Sequence, residues 1–534
     1  MANTRNHKTP APKTTAPKTI ASKTVASKTI LAERSSGVLV HPSSLPGGHG
    51  IGDLGASACE FVDFLQSAKQ RVWQVLPMGP TCEEEFHSPY ATVSAFAGNP
   101  LLMSLDSLVN DGLLTRQTVT RHLRSNPVNN NPRKVDFKNL PRLKMPLVVE
   151  AARNFTGKKA DTTIAQFAAE HPWVSEYAEY AALRAHFKSP RHTWPAEVRL
   201  KPKNSRKILL QYISEGDIRD QVVIQFLFFR QWERLRTYAS TKGVRLFGDL
   251  PIYVSNDSAD VWGNPNFFEI DRETGKPTLL SGVPPDVFNS NGQLWGHPIY
   301  NWKNLAKDGF SWWVDRFKVA QGCFDIVRVD HFRGFESYWA VPSHSDTAKN
   351  GAWKKCPGEA MFAAVKRAIG DLPLFVEDLG IITPPVHALR DYFELMGTRV
   401  LQFAFGGDIN NTTKSRHHPI NTPHNAVVYT ATHDNAPVGE WYADLPKANK
   451  QKMLGLLNDC SPKEVPQQFA RLAMSLPANL CILLMQDVLG VGKGHRMNYP
   501  GVAAWKNWSW RFQEIPRGTA ERLAHLSEIY ERNK

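Results

Sequence analysis

Short apolar runs ending in a polar residue recur along the chain from Ser35 onward, and helix-length amphipathic segments separate several of them. The runs are Gly37–His41, Trp73–Met78, Val244–Asp249, Asp325–Asp330, Leu372–Glu377, Arg399–Phe405, Ala426–Thr432 and Leu480–Asp487. They are rich in β-branched and aromatic residues, which suit a pleated, buried strand. Between them, Ser57–Lys69, Asp220–Lys242, Gly358–Ile369 and Pro384–Leu395 place apolar residues at helical spacing. Strands alternating with helices predict a parallel sheet. Eight such runs predict that the sheet closes, giving an α/β fold of the (β/α)8 TIM-barrel class.

Two stretches break the alternation. Residues 104–215 show helical patterns and the Pro/Asn-rich segment Asn126–Pro132, and are expected to form a mostly helical inserted subdomain. Residues 250–305 are rich in Asn, Pro, Gly and Trp and are expected to form long loops over one barrel face. In a barrel of this class, the loops after the strands build the active site.

Composition narrows the class. The 534 residues carry 42% hydrophobic and 21% charged residues, the balance of a globular enzyme. The longest apolar run, near Leu480–Met485, is far short of the roughly 18 residues a membrane span needs. Six scattered cysteines without a CxxC pair predict reduced thiols rather than a disulfide framework or a zinc site. A net charge of +14 raises the question of a nucleic-acid partner. Six of those charges, Arg5, Lys8, Lys13, Lys18, Lys23 and Lys28, sit in residues 1–30, where there is no acid. The rest are dispersed, so no nucleic-acid partner is expected.

Residues 1–33 carry a Lys-Thr pair every five residues. That step scatters the lysines around a helix, and Pro10, Pro12 and Pro17 oppose one. The segment is expected to be a disordered tail ahead of a catalytic unit spanning 34–534. Its composition leaves two readings open: a solvated extension on a cytoplasmic enzyme, or a transit peptide directing the chain to a plastid.

Four predicted strands end at or near a carboxylate: Asp249, Asp330, Glu377 and Asp434. A lone acid there often caps the next helix. Four together point to chemistry, because converging carboxylates repel one another and shift their pKa values. Glycosidic chemistry uses such a set, one carboxylate ionised to attack the anomeric carbon and one carboxyl protonated for the leaving oxygen. Arg328 lies two residues before Asp330, so on a strand both side chains face one way and the guanidinium favours the attacking form.

The chain resembles the 4-α-glucanotransferases, called amylomaltase or disproportionating enzyme, of glycoside hydrolase family 77. The resemblance runs from about Ser35 to Arg511 and rests on segments in the family's order. They are SSGVLVHPSSLPGGHGIGDLG, WQVLPMGPT, SPYATVSAFAGNPLL, GDLPIYVSNDSADVWGNP, GVPPDVFNSNGQLWGHPIYNW, FDIVRVDHFRGFESYWAVP, FVEDLGIITPPV, THDN, and RMNYPG with NWSWRF. It implies Asp330 as nucleophile, Arg328 as its charge partner and Glu377 as general acid/base. It implies that Asp434 and His433 contact sugar hydroxyls, that Asp249 sits in the donor subsite, that Tyr90 and Trp295 are sugar platforms, and that Gln293 beside Trp295 also binds substrate. It implies α-1,4-glucans and maltooligosaccharides as donors, glucan or glucose as acceptor, and neither a metal nor an organic cofactor. A hydrolase on the same barrel, or a silent glucan-binding protein, are the alternatives.

Departures from the family pattern are CEEEFH before SPY, APVGEW after THDN, and GHP in place of GNP. Most of the fifteen tryptophans are expected to be packing residues, Trp312 and Trp313 among them. The pair His417–His418 is read as solvent-facing, and GVGKGH lacks phosphate-loop spacing.

Overall fold

A computed structural model describes residues 33–47, 49–127, 131–285, 289–371, 373–406 and 413–533. The Lys-Thr segment through residue 32 lies outside the described residues. Twelve strands occur among them: β1 (Ser35–Leu39), β2 (Val72–Gln74), β3 (Arg245–Leu250), β4 (Leu279–Val283), β5 (Gln293–Pro298), β6 (Ile326–Val329), β7 (Ser337–Pro342), β8 (Ala352–Lys355), β9 (Leu374–Val376), β10 (Met396–Val400), β11 (Ala426–Tyr429) and β12 (Leu480–Leu484). Eight close a parallel barrel in the order β1-β2-β3-β6-β9-β10-β11-β12, with β12 returning to β1. This is the predicted (β/α)8 barrel.

Burial explains the runs. Nearly every residue of β1, β3, β6, β11 and β12 is buried, the signature of strands covered on both faces. The barrel is tight enough at Gly37 that a Cβ there would come within 2.2 Å of the Val72 carbonyl oxygen on β2. The sixth barrel strand corrects the sequence reading. Arg399–Phe405 was the predicted run, whereas the strand is Met396–Val400 and Leu401–Ala404 turns into a 3-10 helix. Leu401, Ala404 and Phe405 remain buried in that turn, so apolarity continues past the point where extended backbone stops.

Between β2 and β3 the described residues form seven α-helices from Leu105 to Leu209 and then the helix Glu215–Thr241. Ser214 and Asp217 start that last helix with reciprocal side-chain-to-backbone bonds, a turn earlier than the apolar periodicity begins. Its 27 residues span about 40 Å. Ile218 and Val222 enter an apolar cluster with Tyr180, Trp194 and Trp262, while Val223, Leu227 and Trp232 join the barrel core.

Strands β4, β5, β7 and β8 form a second, antiparallel sheet in the order β5-β4-β7-β8. Two of its strands come from the stretch read as loops, which carries them on short runs without strong alternation. Trp312 and Trp313 are buried packing residues, as expected. His418, however, is buried and caps a 3-10 turn, and His417 accepts a hydrogen bond from the Val400 amide at 3.2 Å through Nδ1. The pair is therefore not solvent-facing; it packs a loop onto the end of β10.

Candidate active site

The carboxylates gather at the C-terminal ends of neighbouring strands. Asp249 on β3 is in register with Arg328 on β6. Val329 on β6 is in register with Val376 on β9, so Asp330 and Glu377 each directly follow the ends of these adjacent strands. Backbone bonds lock the level: the Asp330 amide donates to the Leu250 carbonyl at 3.0 Å and the Glu377 amide to the Val329 carbonyl at 2.9 Å.

Arg328 bridges two acids. Its Nη1 donates to Asp249 Oδ2 at 2.6 Å and its Nη2 lies 2.8 Å from Asp330 Oδ1. Tyr90 donates its hydroxyl to the same Asp249 Oδ2 at 2.7 Å. The Asp249 side chain is 0% exposed, Arg328 8% and Asp330 23%, so only Asp330 of the three opens to the groove. Burial pushes the Asp249 carboxyl up, with Arg328 opposing it. Burial also acts against the Arg328 charge, but the Asp249 and Asp330 carboxylates hold the guanidinium well above its ordinary value. Asp249 thus stands behind the site, gripping Tyr90 and Arg328.

Glu377 receives two backbone amides. The His331 N–H reaches Oε2 at 3.0 Å and the Leu379 N–H reaches Oε1 at 2.6 Å. His331 adopts φ 44°, a left-handed turn uncommon outside glycine, which aims its amide at Glu377. Burial and then the Asp330 charge raise the Glu377 carboxyl to about 8, with Arg328 and the Leu379 amide pulling the other way. Glu377 therefore keeps its proton at neutral pH. That is the property a leaving-group acid requires.

Asp434 closes the far side. His433 Nε2 lies 3.3 Å from its Oδ2, and Asn498 donates to its Oδ1 at 2.7 Å. Burial opposes the charge, but these two partners hold the carboxyl below its usual range. His433 stacks on Tyr90 with ring centroids 5.1 Å apart and 16° between planes. Trp295, on β5, meets the His331 ring edge-on at 4.7 Å, and its Nε1 donates to Gln293 Oε1 at 3.3 Å. The structure thus links Tyr90, Asp249, Arg328, Asp330, His331, Glu377, His433 and Asp434 in one contact network, with Trp295 and Gln293 joined through His331.

Sequence reasoning left several contributors without a role. Asn498 and Arg496, which donates to the Asp434 carbonyl at 2.9 Å, stand in the quoted RMNYPG segment. Trp508 tilts against both Tyr90 and His433. An Asn or Arg in a loop carries no local signal of its target; only the matching segment pointed to them. Of the departures, Glu83–Glu85 form a 3-10 turn, where Arg184 donates to Glu84 Oε2 at 2.6 Å and Phe86 packs edge-on to Trp505 at 5.4 Å. The Ala436 carbonyl accepts from Gln402 at 2.8 Å and starts the turn into the helix Val438–Asp444. His297 of GHP is half-buried, and desolvation lowers its imidazole to about 4.

A barrel that sets a carboxyl raised by burial beside an arginine-paired carboxylate, with aromatic rings stacked nearby, carries the kinds of group that glycosidic-bond chemistry uses. The family profile described as 4-alpha-glucanotransferase matches residues 40–516. A 4-alpha-glucanotransferase of Synechocystis sp. is 42% identical over 511 residues, covering 94% of this chain and 99% of that protein. One from Thermus thermophilus is 40% identical, covering 93% and 99%. The solved amylomaltase of Streptococcus agalactiae in complex with acarbose superposes with a TM-score of 0.89 at 33% identity, covering 94% of this chain and 100% of that one. The chain belongs to the 4-alpha-glucanotransferase family, glycoside hydrolase family 77, and is by that membership a glucan-transferring enzyme.

Proposed function

We propose that this enzyme transfers α-1,4-glucan segments by double displacement, with Asp330 as nucleophile, Glu377 as acid/base and Asp434 as the third carboxylate. The Asp330 carboxylate attacks the anomeric carbon while Glu377 gives its proton to the departing glucan oxygen. A covalent glycosyl-enzyme forms on Asp330, and the Glu377 carboxylate is left behind. An acceptor 4-hydroxyl then loses its proton to Glu377 and takes the glycosyl group, restoring both residues. The observation that carries this reading is the contrast between neighbours. Burial and the Asp330 charge raise the Glu377 carboxyl to about 8, whereas Asp330 is met by the Arg328 guanidinium at 2.8 Å.

Asp434 and His433 suit the hydroxyls of the sugar in the donor site, since the His433 and Asn498 contacts hold the Asp434 carboxyl below its usual range and keep it an acceptor. Tyr90 and Trp295 offer ring faces to the apolar C–H side of a pyranose, with Gln293 steadying Trp295. Maltooligosaccharides serve as donors, and glucan ends or glucose as acceptors. The proposed compartment is the cytoplasm, in keeping with six free cysteines; import of a fusion carrying residues 1–33 into isolated plastids would overturn it. No helix among the described residues is long and apolar enough to cross a membrane.

The test is incubation with maltotriose and chromatography of the products, with Asp330→Asn and Glu377→Gln alongside. Longer maltodextrins plus free glucose, absent in both variants, are expected. Shortening without any longer product would replace transfer by hydrolysis as the main activity. Transfer that persists in Asp330→Asn would remove the nucleophile assignment.

A further inference from the structure

Asp378 follows the acid/base directly, yet it is only 1% exposed and so cannot touch sugar. Its carboxylate is nonetheless the most heavily bonded acid near the site. Oδ1 accepts the Thr398 amide of β10 at 2.8 Å. Oδ2 accepts Arg390 Nη1, from the helix Pro384–Tyr392, at 2.7 Å, and Arg416 Nη2 at 2.6 Å. Arg416 also donates through Nη1 to the Asp378 carbonyl at 2.9 Å. Gly397 makes room for this cluster, since a Cβ there would lie 2.8 Å from Asp378 Oδ2 and 3.1 Å from Arg390 Nη1.

These bonds grip side chain and main chain of one residue from three directions. The turn 377–379 therefore has one setting, and in it the Leu379 amide points at Glu377 Oε1 from 2.6 Å. Charge-assisted bonds are the strong ones, and two guanidinium groups sharing one buried carboxylate repel each other once it is neutralised. Loss of the Asp378 charge thus frees the turn and moves the amide that holds the acid/base.

We propose that Asp378, clamped by Arg390, Arg416 and the Thr398 amide, is the positioning residue for Glu377 in glucan transfer. The inference rests on Glu377 being the acid/base, and the experiment separates the two claims. Two donors are compared in Asp378→Asn, Arg416→Gln and Glu377→Gln: maltotriose, whose leaving glucan needs a proton, and α-maltotriosyl fluoride. With the fluoride, the Asp330 oxygen–carbon bond forms, the carbon–fluorine bond breaks, and fluoride leaves as an anion without a proton.

The readout is kcat/KM for each donor, together with thermal unfolding to confirm a folded variant. In Asp378→Asn we expect a loss of about 10²-fold with maltotriose and no more than about threefold with the fluoride, the pattern of impaired acid catalysis. Arg416→Gln is expected to show the same pattern more weakly, and it carries the test if Asp378→Asn does not fold. Equal losses on both donors, or no loss on either, in a folded variant overturn the proposal. If Glu377→Gln itself lacks the differential, the acid/base assignment fails; if only the Asp378 and Arg416 variants lack it, the positioning role fails alone.

Discussion

Asp249→Ala separates a positioning acid from a sugar ligand. The family resemblance implies that Asp249 sits in the donor subsite, whereas its side chain is 0% exposed and spends one oxygen on both Arg328 and Tyr90. Breaking a buried ion pair by removing one partner costs about 3–5 kcal/mol. Arg328 keeps Asp330 as a second acceptor at 2.8 Å, so the low end, about 3 kcal/mol, is expected from urea unfolding at neutral pH. The kinetic effect follows from the same geometry. Arg328 and Tyr90 lose the group that fixes them, and misplacement of the proposed nucleophile's partner by an ångström costs about 10²-fold in kcat. KM should stay within about threefold, since no ground-state sugar contact is lost. Initial rates of glucose release from maltotriose across donor concentrations provide both constants. A large rise in KM with kcat unchanged would refute this reasoning and restore Asp249 as a direct sugar ligand.

Three further outcomes are expected. Because the Glu377 carboxyl is raised to about 8 and is the proposed leaving-group acid, kcat/KM with maltotriose should fall as pH rises through that value; a profile flat to pH 10 would contradict the assignment. Tyr90→Phe removes one hydrogen bond to a buried carboxylate, worth about 1.5–3 kcal/mol, and should lower stability while keeping the ring. Tyr90→Ala should in addition raise KM, and equal KM values in the two variants would exclude the ring as a platform. Asp487, buried and bonded to the Thr430 hydroxyl and the Val438 amide, has its carboxyl raised to about 7. A raised folded-state value stabilises the protein at low pH and loses that contribution as pH climbs through about 7, up to about 4 kcal/mol. Asp487→Asn should therefore flatten the dependence of Tm on pH between about 4 and 7, and an unchanged slope would assign that dependence elsewhere.

Short-range pattern in the sequence determined much of this protein. Buried strands covered on both faces leave uninterrupted apolar runs, so the barrel's strand count was legible. The spacing of Arg328 and Asp330 placed both on one face, because side chains repeat every second residue along a strand. The end of β10 was not legible, since burial of Leu401 and Ala404 makes a 3-10 turn look like more strand. Only tertiary structure decided which groups each acid meets. Asp249 meets Arg328 across 79 residues and Tyr90 across 159, and Asp434 meets Asn498 across 64. No local periodicity encodes a partner that distant; barrel closure and register bring it there. The difference between Asp330 and Glu377 is of the same kind. Both are carboxylates at strand ends, and burial and neighbouring charge, not the sequence around them, make one the partner of a guanidinium and the other a carboxyl that keeps its proton.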